Sequence, residues 1–142
     1  MTDTSLGFRV KGRINGGEFT IQDMLFKDTE TLTKGDVLHL ETGEVDLGAT
    51  GDTNLIGVAK ETISGTDSTT RIQVYTDPDL IMEVYDQNAR LVGATLDIAG
   101  TTGAMTLATS SNKELVVYEE STATEPTLVI FNVGAHHRNT AQ

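Results

Sequence analysis

The sequence predicts an all-β domain, on three observations. Apolar residues recur with period two over short runs, as in Arg71-Ile72-Gln73-Val74-Tyr75, where Ile72 and Val74 share one face. Turn signals rich in Gly, Asn, Asp and Pro separate these runs at intervals of about 8–12 residues. Composition agrees: 23 threonines and 14 glycines suit strands joined by turns, and 5% aromatics leave a core of Val, Leu and Ile. About eight or nine short strands and no helix are expected, and pattern alone leaves barrel and sandwich both open.

Taken in order, residues 1–6 are small and polar and are expected to be mobile. Phe8 and Val10 then alternate with Arg9, Lys11 and Arg13, a short strand or extended arm with an apolar side and a basic side. Asn15-Gly16-Gly17 turns the chain, which sets an N-terminal arm at 1–17 and a body at 18–133. Thr20 to Phe26 reads as strand rather than a helical turn, because Thr, Ile and Phe crowd together. Lys34-Gly35-Asp36 launches Val37–Glu41, with Leu38 and Leu40 on one face and Val37, His39 and Glu41 on the other. Thr42-Gly43-Glu44 turns into a run carrying Val45 and Leu47, and a polar loop at 48–54 leads to the apolar strand Leu55–Ala59.

Beyond Ala59, a polar loop at 64–70 precedes the 71–75 strand, and Asp77-Pro78-Asp79 breaks it before Leu80, Met82 and Val84 resume the alternation. A turn at 86–89 is followed by a set read from Val92 through Ala94 and Leu96 to Ile98. Gly100 to Gly103 turns into Met105 and Leu107, and a serine-rich loop runs to Asn112. Leu115–Tyr118 and Leu128–Phe131 are apolar on both faces, hence central or covered, and the loop between them carries Glu119, Glu120 and Glu125. Residues 134–142 read as a tail, with His136 and His137 in it.

Charge and length limit the classes of function. A chain of 142 residues fits one domain with one real core. Net charge is −11, and residues 1–34 balance to zero, so the whole excess lies in the body. An acidic body repels nucleic acid, and no apolar run approaches the ~20 residues of a membrane-spanning helix. The opening Met-Thr-Asp-Thr-Ser-Leu-Gly lacks the basic and apolar regions of a signal peptide, so synthesis and assembly in the cytoplasm are expected. The absence of cysteine removes disulfides and thiolate metal sites.

Chemistry finds little purchase. The three histidines are His39, on the outer face of a strand, and the adjacent His136 and His137, which point apart on an extended chain. Asp46 with Asp52, and Asp77 with Asp79, lack the oxygen density of a calcium loop. No phosphate-gripping Gly-Lys-Ser/Thr ending follows the glycines. The expectation is therefore a non-enzyme that needs no metal or cofactor. Phe8, Arg9, Val10, Lys11 and Arg13 are the candidate contact residues. They form either the solvent face of an edge strand or an arm that meets an acidic surface on a neighbouring copy or another protein. Deleting residues 1–13 is expected to leave a folded body and weaken docking.

The succession Leu32-Thr33-Lys34-Gly35-Asp36, Leu55-Ile56-Gly57-Val58-Ala59, Ser64-Gly65-Thr66 and Ile72-Gln73-Val74-Tyr75 resembles the head-decoration (cement) proteins of tailed bacteriophages. So do Val92-Gly93-Ala94 and the stretch from Leu96 to Gly103. The resemblance implies a compact β-barrel or β-tulip-like sandwich with short extended terminal arms. It also implies a homotrimer on the capsid exterior of the virion that clamps neighbouring major capsid protein subunits, with no catalytic residue. The rival reading is a β-sandwich that binds a carbohydrate or receptor in a phage tail, for which Tyr75, Tyr85 and Tyr118 are the available aromatics.

Overall fold

A computed structural model describes residues 7–27, 29–49, 54–66, 69–85, 88–109, 114–132 and 135–136. The expected mobile start at 1–6, Asp52, parts of the loops at 48–54, 64–70 and 86–89, most of the serine-rich loop, His137 and the last residues of the tail lie outside these. The described residues form thirteen strands and no helix: β1 (Arg9–Arg13), β2 (Ile21–Phe26), β3 (Glu30–Leu32), β4 (Val37–Glu41), β5 (Glu44–Leu47), β6 (Leu55–Ala59) and β7 (Ile63–Gly65), then β8 (Arg71–Tyr75), β9 (Leu80–Val84), β10 (Thr95–Ala99), β11 (Thr106–Ala108), β12 (Leu115–Glu119) and β13 (Thr127–Phe131).

Among the described residues the open choice resolves to a closed barrel accompanied by separate sheets. Strands β2-β5-β4-β6-β8 close into a barrel, and β1-β9-β13-β12-β10-β11 form a six-stranded sheet. The barrel closes because β2 runs antiparallel to β8 and parallel to β5. Phe26, Leu38, Val45, Ile56, Ala59, Ile72 and Val74 fill its interior together with Leu32. A second core lies between the barrel wall and the sheet, where Val37, Leu55 and Val58 of the barrel meet Met82, Leu115, Val117, Val129 and Phe131. The expected alternation of Ile72 and Val74, and of Leu80, Met82 and Val84, is seen, with all five side chains fully buried. The pair β3–β7 escaped the sequence reading because three residues are too few to show a period.

Strands β4 and β6 serve both cores, and a bulge lets them. His39 pairs with Leu55 while Leu38 pairs with Gly57, so two residues of β6 stand against one step of β4. That extra residue shifts the alternation, and Leu55 and Val58, three apart, face the same core. Gly57 makes the bulge possible, since a Cβ there would collide with the Tyr75 carbonyl oxygen. The expected division of β4 is seen, with Leu38 and Leu40 facing the barrel interior and Val37 the other core. Val37 is as buried as Leu38, each in a different core, while Leu40 is half-buried.

Two further expectations change. The set read from Val92 starts later, at Thr95, because Leu91 to Ala94 is a turn closed by Ala94 N–H on the Leu91 carbonyl at 3.1 Å. Val92 is 65% exposed there, so its place in the period was a coincidence of turn and strand. The tail is tied down at its start: Leu55 N–H bonds the Ala135 carbonyl at 3.0 Å, and His136 is wholly buried. His136 Nε2 donates to the Ile56 carbonyl at 2.8 Å and packs edge-on against Phe131. The histidine thus satisfies a polar group at the bulge, a structural role.

Candidate functional site: the cleft beside β1

Strand β1 exists because Phe8 and Val10 have an apolar surface to cover. Phe8 is 1% exposed, and its N–H bonds the Gly35 carbonyl at 2.8 Å while Gly7 N–H bonds the Met105 carbonyl at 3.0 Å. The strand then pairs with β9, Arg9 opposite Glu83 and Val10 opposite Met82, and lies at the edge of the six-stranded sheet. The turn on which Phe8 rests is held by Asp36. Its buried carboxylate accepts from Thr33 N–H at 2.8 Å, Gly103 N–H at 2.9 Å and the Thr102 hydroxyl at 2.5 Å. Every one of these bonds is local or structural, so this buried acid is a brace and not a reagent.

Between the free edge of β1 and the barrel opens a cleft of about 440 Å³. Phe8, Arg9, Val10 and Lys11 form one wall, and Lys34, Gly35, Val58, Ala59 and Tyr75 the other. Its floor is apolar and its charged side chains are all basic, in a chain of net charge −11. Arg9 is engaged by Glu83, with Nη2 2.7 Å from the carboxylate. Lys11 lies 4.0 Å from the same carboxylate and is half-exposed. Lys34 makes no ion pair among the described residues, and Tyr75 leans edge-on against Phe19 at 5.2 Å.

Of the five candidate residues, the structure brings Phe8, Arg9, Val10 and Lys11 into this cleft and places Arg13 elsewhere. Sequence reading missed Lys34 and Tyr75 as its opposite wall. Lys34 carried the available signal, a cation beside a turn glycine, but its neighbour across the cleft is 23 residues away in sequence. Of the three tyrosines weighed for a sugar-binding groove, Tyr75 alone lines the cleft.

Arg13 sits where a calcium reading would have put a cation. Its Nε is 2.8 Å from Asp79 and 3.6 Å from Asp77, and Asp77 also accepts from Thr20 N–H at 2.8 Å. Partial burial works against the Asp79 charge, but hydrogen bonds from Arg13 and Asn15 N–H, with the pull of the guanidinium, outweigh it. The carboxyl is therefore held below its ordinary range. A depressed carboxylate contributes stability above that range and loses it as pH falls through it. We expect the urea midpoint to fall between pH 7 and pH 3 by less in Asp79→Asn than in the unaltered protein. The difference should be modest, because the pair is partly solvated and screened. Identical pH profiles would show that the corner does not couple to folding. His39 is likewise structural, its Nδ1 donating to the Leu47 carbonyl at 3.2 Å.

No family model matches this chain, and neither does any curated protein. Among solved structures, it is similar to the head fiber gp8.5 N base of bacteriophage phi29, 14% identical over 80% of this chain and 95% of that one, with a TM-score of 0.49. A likeness this loose transfers no residue role.

Proposed function

We propose that the protein is a non-catalytic decoration (cement) protein, a homotrimer bound to the outer surface of a tailed-phage head, where it stabilises contacts between major capsid subunits. The reading begins from the sequence resemblance, and one structural observation carries the oligomer. The outer face of the six-stranded sheet presents an apolar row: Val116 stands opposite Ile130, Leu128 lies on the same face opposite Glu83, and Ile81 alternates outward between buried Leu80 and Met82. These four side chains are half-buried and Tyr118 beside them is 37% exposed. A single barrel does not need this face, and a second copy placed on it buries apolar area at roughly 25 cal/mol per Å².

Light scattering should therefore give a particle of about three 15.2 kDa chains. Ile130→Lys, which leaves the inner face untouched, should yield folded monomers and reduce co-sedimentation with capsids. A map of the decorated shell with isolated single chains would rule out the trimer. Failure of the unaltered protein to sediment with any capsid would rule out the decoration role.

A further inference from the structure

The cleft beside β1 holds a combination that neither the trimer face nor the fold requires. We propose that it is a docking site for an extended, acidic segment of another protein, which adds as a strand along the open edge of β1. This stands whether or not the protein decorates a phage head. Three observations carry it.

The first is the edge itself. Among the described residues strand β1 pairs with β9 on one side and with no other strand, so its far side offers an edge to a new strand. Phe8 N–H uses the first such position on Gly35, and Val10, two residues on, reaches the cleft. The second is charge. In a strongly acidic chain the cleft is lined by Arg9, Lys11 and Lys34 and, among the described residues, by no carboxylate. Glu83 holds Arg9 at 2.7 Å and reaches Lys11 only at 4.0 Å, so Lys11, more weakly engaged, and Lys34 on the opposite wall are the cations best placed to receive an incoming acid. The third is the floor. Val10 and Tyr75 are partly exposed on opposite walls, above the buried Phe8, Val58 and Ala59, and can meet the alternate side chains of a strand, and 440 Å³ lies within the usual range of ligand pockets. Strand pairing and apolar contact supply affinity, and the lysines select for acid. Nucleic acid is a poorer fit, because of the two aromatic rings lining the cleft Phe8 is buried and Tyr75 is packed against Phe19, and the body around them is acidic. A second copy is also poorer: its acidic 119–125 loop is closed on itself by Thr122 N–H on Glu125 at 3.0 Å.

The test uses a fluorescent peptide of alternating Glu and Val, its Gln-Val counterpart, and the Glu-Val peptide N-methylated at alternate residues. Anisotropy and amide NMR shifts follow binding to the full chain. The Glu-Val peptide should bind with shifts at Val10, Lys11, Gly35 and Tyr75, and should weaken as salt rises. Both the Gln-Val peptide and the double variant Lys11→Glu with Lys34→Glu should bind about tenfold more weakly. Both lysines are exposed, so an unchanged melting curve will show that the variant is folded. Equal binding by the N-methylated peptide would overturn strand addition, and equal binding by Gln-Val would overturn selection for acid. Displacement of the peptide by an equal concentration of sodium phosphate would make the cleft a small-anion site instead. Self-association that disappears in the double variant, without peptide binding, would assign the cleft to a second copy.

Discussion

Gly57→Ala should destabilise the protein by about 3 kcal/mol or more, a fall in Tm of roughly 10 °C. The added methyl would run into the Tyr75 carbonyl oxygen, a backbone atom that no rotamer change can move. Relief requires β6 to part from β8 or the bulge to rearrange, and either turns apolar residues away from their cores. Gly12→Ala is the control, since a Cβ at Gly12 meets nothing within 4 Å. Thermal and urea melts of the two variants decide the matter. Equal, small losses would mean that the bulge absorbs a side chain and that the slip in β6 is not fixed by glycine.

Phe8→Ala should cost about 3–5 kcal/mol, the range for emptying an aromatic site in a packed core. Phe8 touches the core shared by sheet and barrel, and its backbone is fastened to the Gly35 turn. Deleting residues 1–13 removes this side chain, the whole of β1 and its pairing with β9. Against a total stability of about 5–15 kcal/mol, the shortened chain should be unfolded or aggregated at 37 °C. The earlier expectation of a dispensable arm is thereby reversed, because the apolar side of Phe8-Arg9-Val10 covers its own sheet. Circular dichroism and limited proteolysis of the truncated chain test this directly. A native melt for it would show that β1 is only lightly attached. Any effect of the basic side chains on docking has to be measured with substitutions at Lys11 and Lys34, which leave the strand in place.

Much of the strand content was legible because burial on one face writes a period of two, as at Ile72 and Val74. What stayed hidden was decided between distant residues. The apolar run 55–59 reads as a buried strand, yet the slip at Gly57 that divides it between two cores depends on β4 and on a carbonyl 18 residues later. His136 looks like tail until the Ile56 carbonyl is seen to need a donor. Val92 shows the opposite failure, an alternation that fits by chance and belongs to a turn. The cleft was half legible: Phe8 and the first three residues of β1 were singled out for their charge and pattern, whereas Lys34 and Tyr75 join them only through the packing of barrel on sheet.

The double service of β4 and β6 also bears on how the molecule comes apart. Val37 and Leu38, adjacent in the chain, are committed to different cores, as are Leu55 and Ile56. A barrel that opened would drag its neighbour's lining out with it, and a sheet that peeled away would expose the barrel's outer wall. Barrel and sheet therefore lack separate stabilities, and heat or denaturant meets a single all-or-none transition in place of two successive ones.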